Sequence, residues 1–298
     1  MSRSGPGAES GGGVRADVNP GTQSEAGAKS RASVKPPAGT PFPSWMWVPA
    51  VVAAGFVAFP IVGLVLRADW PEFFSLVTAP SALQALRLSL VTATCATVFS
   101  VLLGIPLALL TVREFPGVRL LRTVVLLPLV LPPVVAGIAL LATFGRAGLI
   151  GSSLEAAGVS IAFTTVAVVV AQTFVAMPFV VLTVEGALTS LDPGFAKVAT
   201  TLGAGPTRTL FRIVLPLIRP ALISGAVLAF ARALGEFGAT VTFAGSLQGV
   251  TRTLPLEVYL LSDSGDTAGA IALSVVLMVV AFVVVATMYR KTSRGGRQ

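Results

Sequence analysis

Long apolar runs separated by short polar connections make up most of this chain from residue 45 onward. Each run is about as long as the roughly 20 residues that a helix needs to cross the hydrocarbon core of a bilayer. The pattern therefore predicts an all-α integral membrane protein with six transmembrane helices. The predicted spans cover approximately residues 46–66, 86–111, 121–144, 161–184, 217–239 and 268–289.

Prolines lie inside several of these spans, and the third span carries a cluster of them at Pro128, Pro132 and Pro133. A proline inside a helix lacks the backbone donor and frees a carbonyl, which must find another partner in lipid. We interpret the cluster as an ordinary kink, and a gating hinge is the alternative.

Composition supports the membrane class and removes several others. Of the 298 residues, 54% are hydrophobic and 11% are charged, with a mean hydropathy of +0.87, which is a poor match to a soluble globule. The net charge of +8 comes from tails and loops, so it indicates membrane topology rather than nucleic-acid binding. Cys95 is the sole cysteine and histidine is absent. A disulfide within the chain, a cysteine-ligated metal site and a histidine base are thereby excluded, and an embedded enzyme lacks its reactive groups.

The polar segments set the predicted domain limits and the topology. Residues 1–44 are rich in Gly, Ser, Pro and Ala and are predicted to form a disordered cytoplasmic tail. Residues 45–67 are the first transmembrane helix, and 291–298 are a basic cytoplasmic tail. Arginine and lysine crowd the second and fourth connections, so the positive-inside rule places these loops and both termini in the cytoplasm.

The fourth connection, within residues 185–216, is an amphipathic segment between apolar spans. Asp192 is a good N-cap, Gly203 can end a helix in the left-handed conformation, and Pro206 can open a second helix. The segment therefore predicts two short helices joined by a glycine turn at the membrane surface. The apolar face of the first helix consists of Phe195, Val198, Ala199 and Leu202. The second helix has Leu210, Ile213 and Val214 on one side and Arg208 and Arg212 on the other.

This segment resembles the cytoplasmic "EAA" loop of ABC-importer permeases, a Glu-Ala-Ala-x-x-x-Gly pattern followed by Ile/Val-x-Leu-Pro. The matching positions are Ala199, Leu202, Gly203, Ala204, Val214, Leu215 and Pro216. Lys197 stands where the family usually has Glu, and Val198 where it has the first Ala. The resemblance implies that 195–210 enters a cleft in an ATPase. The predicted coupling residues are Phe195, Lys197, Val198, Ala199, Leu202, Gly203, Ala204, Arg208, Leu215 and Pro216.

A second candidate site lies in the fifth span, where Arg232 and Glu236 stand four residues apart on one predicted helical face. Ionisable groups in lipid usually pair and face protein or a wet cavity. A structural ion pair and a pair lining or closing a translocation path are equally open interpretations. The flanking Gly235 and Gly238 permit close helix approach or unwinding, and Thr240 follows as a candidate path hydroxyl.

Residues 232–240 also resemble the fifth-span pattern of molybdate and sulfate importer permeases, and residues 248–266 continue the resemblance. The second stretch carries Thr251, Thr253, Leu254, Pro255 and Tyr259 where molybdate permeases have Thr-x-Thr-(Leu/Ile)-Pro-x-x-x-Tyr. The resemblance covers residues 80–290 and implies a type I ABC-importer permease fold with cytoplasmic coupling helices, in a prokaryotic plasma (inner) membrane.

The resemblance also implies partners and a substrate. It implies a homodimer with a second permease copy, two cytoplasmic ABC ATPase subunits and an extracytoplasmic oxyanion-binding protein, in contact with membrane lipid and not nucleic acid. The chain itself binds no cofactor, since it lacks a Walker motif and ATP is hydrolysed by a partner. The predicted substrate is molybdate, with sulfate or tungstate as the alternative. A passive channel or membrane assembly protein is the alternative from a different class.

Overall fold

The computed structural model describes residues 43–192 and 194–295, without the side chains of residues 196, 197, 200 and 288–295. The predicted tails therefore lie largely outside the described residues, as does the side chain of Lys197. Within the described ranges the chain is helical and contains no strand. The helices are α1 (Trp47–Leu66), α2 (Trp70–Val77), α3 (Pro80–Thr111), α4 (Val118–Val130), α5 (Pro133–Phe144), α6 (Gly151–Ala156), α7 (Thr165–Ser190), α8 (Gly194–Thr201), α9 (Pro206–Thr209), α10 (Leu215–Leu217), α11 (Arg219–Leu234), α12 (Gly238–Ala244), α13 (Leu254–Asp263) and α14 (Thr267–Gly295).

Four continuous segments in the described part of the chain are long and apolar enough to cross a membrane: residues 44–66, α3, α7 and residues 267–287 of α14. Two further spans are broken, one into α4 and α5 and the other between α9–α10 and α11. Counting each bent pair as one span gives six, which confirms the predicted all-α membrane fold. α1, taken by itself, contains no buried residue, as suits a helix that is apolar all round.

The kink predicted for the third span is wrong in its size. The structure has a break there, at which α4 and α5 are bent by 118° relative to each other. Leu131 and Pro132 both adopt extended backbone angles, and Pro133 then opens α5. A residue that precedes proline is pushed out of the helical region, and two consecutive prolines impose this on two residues in succession. The proline pair therefore ends one helix and starts another, whereas Pro106 and Pro178 lie inside the continuous helices α3 and α7.

The main core is formed where α3, α7 and α11 pack against one another. Small residues such as Ala93, Ala96, Ala176, Ala229 and Ala233 are fully buried there. Small side chains allow helix backbones to approach closely, which is the usual means of packing helices in lipid. A second core joins α5, α7 and α12, and a third joins α3, α13 and α14.

The carboxyl ends of α3 and α7 lie at the same end of the molecule. Leu109 and Val112, at the end of α3, line one cavity together with Leu188 and Leu191, at the end of α7. The same cavity is lined by Phe195 of α8. The amino-terminal half of α3 must therefore lie at the opposite end of the bundle from α8.

A close glycine contact between α5 and α12 gives a test of this packing. A Cβ atom added to Gly137 of α5 would lie 2.7 Å from Thr242 Cβ and 2.9 Å from the Ala239 carbonyl oxygen, both in α12. We expect Gly137→Ala to lower the melting temperature of the purified protein, because an overpacking cost of about 1–3 kcal/mol exceeds the helix propensity of alanine, about 1 kcal/mol.

Gly186 of α7 is the matched control, since a Cβ there would meet no atom within 4 Å. Gly186→Ala is expected to leave the melting temperature unchanged or raise it. Equal melting temperatures for the two variants would show that α5 and α12 are not packed as described.

Candidate functional site

The segment from Asp192 to Leu217, called here the coupling segment, begins with a capped short helix. The Asp192 carboxylate accepts a hydrogen bond of 2.8 Å from the Gly194 N–H. α8 ends at Thr201, and Gly203 follows with φ of +80°. The Ala204 N–H donates to the Ala199 carbonyl at 2.9 Å, the closing bond of a glycine-terminated helix. Gly203 therefore occupies a left-handed position that side chains with a Cβ adopt at a cost.

The apolar face predicted for α8 is largely open to the surroundings. Phe195 is 54% exposed, Val198 60% and Leu202 81%, whereas Ala199 is buried at 4%. Three large apolar side chains on one short helix form a patch that a monomer would not normally leave uncovered. The patch has the character of a docking surface.

The second half of the coupling segment starts at Pro206, but it is not a regular helix. α9 leads into a π-helical turn over Leu210–Val214, and α10 follows over Leu215–Leu217. Arg208 and Arg212 are exposed, whereas Leu210 is partly buried. Ala204 and Leu215 are half-buried, and Pro216 is exposed. Short π-helical segments occur frequently at functional sites.

A cavity of about 460 Å³ lies beneath the coupling segment, which contributes Asp192, Phe195, Pro206 and Leu210 among others to its wall. The ends of α3 and α7 and Leu217 complete the lining. The coupling segment is therefore in contact with the helices that form the main core, and α11 begins two residues after α10.

The Arg232–Glu236 pair bridges a break rather than one helical face, which corrects the prediction of a continuous fifth span. α11 ends at Leu234 and α12 begins at Gly238. Arg232 Nη1 lies 2.5 Å from Glu236 Oε2, and the Glu236 side chain is 1% exposed. Glu236 Oε1 also accepts a hydrogen bond of 2.8 Å from the Ala239 N–H. One carboxylate thus neutralises the arginine and caps the start of α12.

The break between α11 and α12 meets the break between α4 and α5 at this point. A Cβ added to Gly238 would lie 2.6 Å from Pro133 Cβ, so the start of α12 is pressed against the start of α5. Gly235 has no such close neighbour and marks the end of α11. Gly238 therefore allows the close approach of two helices, and Gly235 lies where the helix unwinds. Thr240 is fully buried, and its hydroxyl makes no hydrogen bond to any described residue.

The structure places the predicted coupling residues and the predicted path residues at opposite ends of α11. The 16 residues of α11 span roughly 24 Å at 1.5 Å per residue. The two groups therefore form two sites joined by one helix. Their assigned roles stay predictions.

Two further ion pairs involve buried glutamates that sequence reasoning did not select. Glu185, near the end of α7, contacts Arg122 of α4, and Glu257 of α13 lies 3.4 Å from Arg252. Both glutamates are almost fully buried, at 3% and 4% exposure. The sequence did contain a signal that could have identified these two glutamates. A carboxylate within or next to an apolar stretch needs a partner, so its position indicates an ion pair.

The Thr-x-Thr-Leu-Pro stretch is buried and braces the loop between α12 and α13. Thr251 Oγ1 accepts a hydrogen bond of 2.8 Å from the Leu247 N–H, and Ser89 Oγ of α3 accepts one of 2.6 Å from the Leu254 N–H. Thr251, Thr253 and Leu254 are all fully buried. These residues therefore support the fold at the end of α3 opposite the coupling segment.

The fold and this arrangement define a membrane-embedded protein with an exposed apolar patch on the segment between two of its spans. Residues 100–294 match the family model described as binding-protein-dependent transport system inner membrane component. The match covers more than half of the chain, and the chain belongs to this family. Its predicted class, a transporter permease subunit rather than an enzyme, is thereby confirmed.

Relatives with curated descriptions agree with the family. The chain is 55% identical over 257 residues to the molybdenum transport system permease protein ModB of Mycobacterium tuberculosis (strain H37Rv), covering 86% of this chain and 97% of the relative. It is 44% identical over 203 residues to ModB of Escherichia coli K12, covering 67% and 89%. The sulfate transport system permease protein CysT of Salmonella typhimurium is 33% identical over 243 residues, covering 80% and 88%.

The fold is also that of solved importers. A bacterial alginate ABC transporter, solved in complex with an alginate pentasaccharide-bound periplasmic protein, matches with a TM-score of 0.66 and 18% identity. The match covers 85% of this chain and 94% of that one. It confirms the predicted ABC-importer permease fold.

The dual role of Glu236 leads to a testable order of stabilities. We expect Glu236→Gln to lower the melting temperature, because it leaves the half-buried Arg232 without a counter-charge. Such a loss costs about 3–5 kcal/mol in a fully buried pair, and the partial exposure of Arg232 makes it smaller here. The double variant Arg232→Ala/Glu236→Gln should recover part of this loss, since it removes both charges and keeps an acceptor for the Ala239 N–H. The measurement is thermal unfolding of the purified variants in one detergent.

The matched comparison is Arg232→Ala/Glu236→Ala, which removes the cap as well as the charges. It should melt below Arg232→Ala/Glu236→Gln. If the losses of Arg232→Ala and Glu236→Gln simply added in the double variant, the two side chains would not form the described pair.

Proposed function

We propose that this chain is the membrane-spanning subunit of an ATP-driven importer for molybdate. The assignment of molybdate as the substrate rests on one observation. The chain is 55% identical to a molybdenum transport permease over nearly the whole length of that relative. The sulfate permease relative is more distant, at 33% identity, and sulfate or tungstate is the second candidate substrate. All three are tetrahedral dianions, so we expect the binding protein rather than the membrane path to discriminate between them.

The proposed complex contains two copies of this chain, two cytoplasmic ATPase subunits and an extracytoplasmic oxyanion-binding protein. The open apolar patch of Phe195, Val198 and Leu202 supports an ATPase contact, because its burial in a partner would remove apolar area from water. The periplasmic protein bound to the alginate transporter supports delivery by a binding protein. ATP, in this proposal, is hydrolysed by the partner and not by this chain.

The proposed orientation follows from charge. Arg113, Arg119 and Arg122 lie in or next to the connection between α3 and α4, at the same end of the bundle as the coupling segment with Arg208 and Arg212. The positive-inside rule then places this end and both termini in the cytoplasm. The coupling segment thus faces the compartment that contains ATP.

The geometry supports alternating access through three connections to the coupling segment. α8 begins four residues after α7 ends, α11 begins two residues after α10 ends, and the ends of α3 and α7 line the cavity beneath. Movement of the coupling segment with the ATPases would displace all three core helices at once. The break at Arg232 and Glu236, at the far end of α11, would then open or close the path.

Uptake of labelled molybdate tests the substrate. Cells that lack this chain should lose high-affinity molybdate uptake, and the plasmid-borne chain should restore it. Excess tungstate should compete, whereas excess sulfate should not. Loss of sulfate uptake with molybdate uptake intact would make the protein a sulfate permease, and unchanged uptake of all three anions would reject the proposal.

Two glycines close together in sequence provide a matched test of the coupling segment. Gly203 has φ of +80°, whereas Gly205 has φ of −67° and ψ of 162°, which any residue adopts. Neither has an atom within 4 Å of an added Cβ. We expect Gly203→Val to reduce co-purification of the ATPase and oxyanion uptake severalfold or more, because a β-branched residue is strained in the left-handed region.

Gly205→Val is the control and should retain ATPase and uptake close to the wild-type level. Membrane abundance of each variant is measured in parallel, so that failed insertion is distinguished from failed docking. Normal ATPase recovery with Gly203→Val would show that the glycine turn is not required for coupling.

A further inference from the structure

A polar cavity of about 650 Å³ lies at the amino-terminal end of α3, where α3 faces the loop between α12 and α13. Its lining consists of Gln84, Arg87, Leu88, Val91, Gln248 and Gly249. Arg87 precedes Leu109, which lines the cavity beneath the coupling segment, by 22 residues, or roughly 33 Å of helix. The two cavities therefore lie on opposite sides of the membrane.

Arg87 lies at the edge of the lipid-embedded part of α3. Residues 88–112 contain no charged side chain, so Arg87 is the first charge met on leaving the apolar stretch toward this end. The side chain is exposed on the single chain. A guanidinium at this depth is stable only where water, headgroups or an anion can reach it.

The charge of Arg87 is not neutralised by any described residue. The Arg87 side chain makes neither an ion pair nor a hydrogen bond in the described part of the chain. Four other arginines each pair with a glutamate: Arg122, Arg146, Arg232 and Arg252. The cavity also has no acidic residue in its lining. Its charge is therefore positive, and the guanidinium retains all of its donors.

The neighbouring groups add neutral donors to this positive charge. Gln84 lies one helical turn before Arg87, and Gln248 of the opposing loop belongs to the same lining. The backbone N–H groups of Gln248 and Gly249 donate to no acceptor among the described residues. Side-chain amides and free N–H groups beside an arginine form a set of donors suited to oxyanion oxygens.

The loop that carries these donors is held in place. The Leu247 carbonyl accepts hydrogen bonds from the N–H groups of Val250, Thr251 and Arg252 at 3.1, 2.9 and 3.0 Å. Gly249 has φ of +74°, and a Cβ added there would lie 3.6 Å from Gln84 Oε1, so the loop touches α3. The donors are thus positioned by the fold.

We propose that this cavity is the outer receiving site, where a tetrahedral oxyanion dianion first contacts the permease. Arg87 provides the charge and a planar fork of N–H donors, and Gln84, Gln248 and the loop N–H groups provide further hydrogen bonds. This inference rests on the proposed function for the substrate. A cavity that is open to the surroundings fits a weak site that must release the anion into the path.

Direct binding of labelled molybdate to the purified permease–ATPase complex, without the binding protein, tests the site. The wild-type complex should bind molybdate weakly, and tungstate should compete. Arg87→Gln should lower the affinity at least tenfold, and Arg87→Lys should retain part of it, because lysine keeps the charge and loses the fork. Arg67→Gln is the control, since Arg67 is likewise exposed and has no partner among the described residues.

Uptake and docking measurements separate the failure of this inference from that of the proposed function. Arg87→Gln should reduce molybdate uptake while its affinity for the loaded binding protein stays at the wild-type value. Normal wild-type uptake combined with equal molybdate binding by wild type and Arg87→Gln would overturn the site and leave the function standing. Weakened docking of the binding protein with unchanged molybdate binding would also overturn it and make Arg87 a protein contact. Absence of wild-type oxyanion uptake would reject both.

Discussion

Backbone amides inside a bilayer must have partners, and this requirement governs how the break between α4 and α5 and the break between α11 and α12 are arranged. Non-helical backbone is tolerated at membrane depth only where protein or a water-filled cavity surrounds it. The chain meets this condition by bringing its breaks together: Gly238, at the start of α12, is pressed against Pro133, at the start of α5. Glu236 then satisfies both Arg232 and the Ala239 N–H. The break in the fifth span is thus stabilised by one carboxylate and by contact with the break in the third.

The same arrangement explains why polar groups concentrate around the breaks and the helix ends. Three buried glutamates, Glu185, Glu236 and Glu257, each pair with an arginine. A buried pair gains little net stability against an apolar replacement, but the loss of one partner is costly. Each pair therefore restricts which arrangements of the helices are accessible. Glu185 ties α7 to α4 shortly before the coupling segment, so that segment is connected to the broken third span as well as to α11.

Much of the architecture could be predicted from the sequence, because apolar run length and helix punctuation are local signals. Asp192, Gly203 and Pro206 have the predicted capping and turn positions in the structure. The size of the bend at Leu131 and Pro132 was underestimated, since one proline in lipid usually kinks a helix and only the consecutive pair ends it. The break after Leu234 was missed for a different reason. Gly235 is compatible with a helix in lipid, and the contact of Gly238 with Pro133 is a tertiary interaction that no local pattern reveals.

The arginines of this chain fall into two groups. Those paired with a glutamate use their charge within the fold, whereas an unpaired arginine has its charge free for a ligand. Arg232 and Arg252 have part of their surface buried and a glutamate within 3.4 Å, so their charge is used within the fold. Arg87 stands beside two glutamines with no carboxylate in the cavity lining, so its charge acts on whatever enters from outside. An anion that crossed the membrane next to unpaired arginines at every level would be held too tightly to move. In the proposed function, the unpaired Arg87 would attract the anion to the outer cavity, and an arginine already neutralised by a glutamate, such as Arg232, would hold it only weakly.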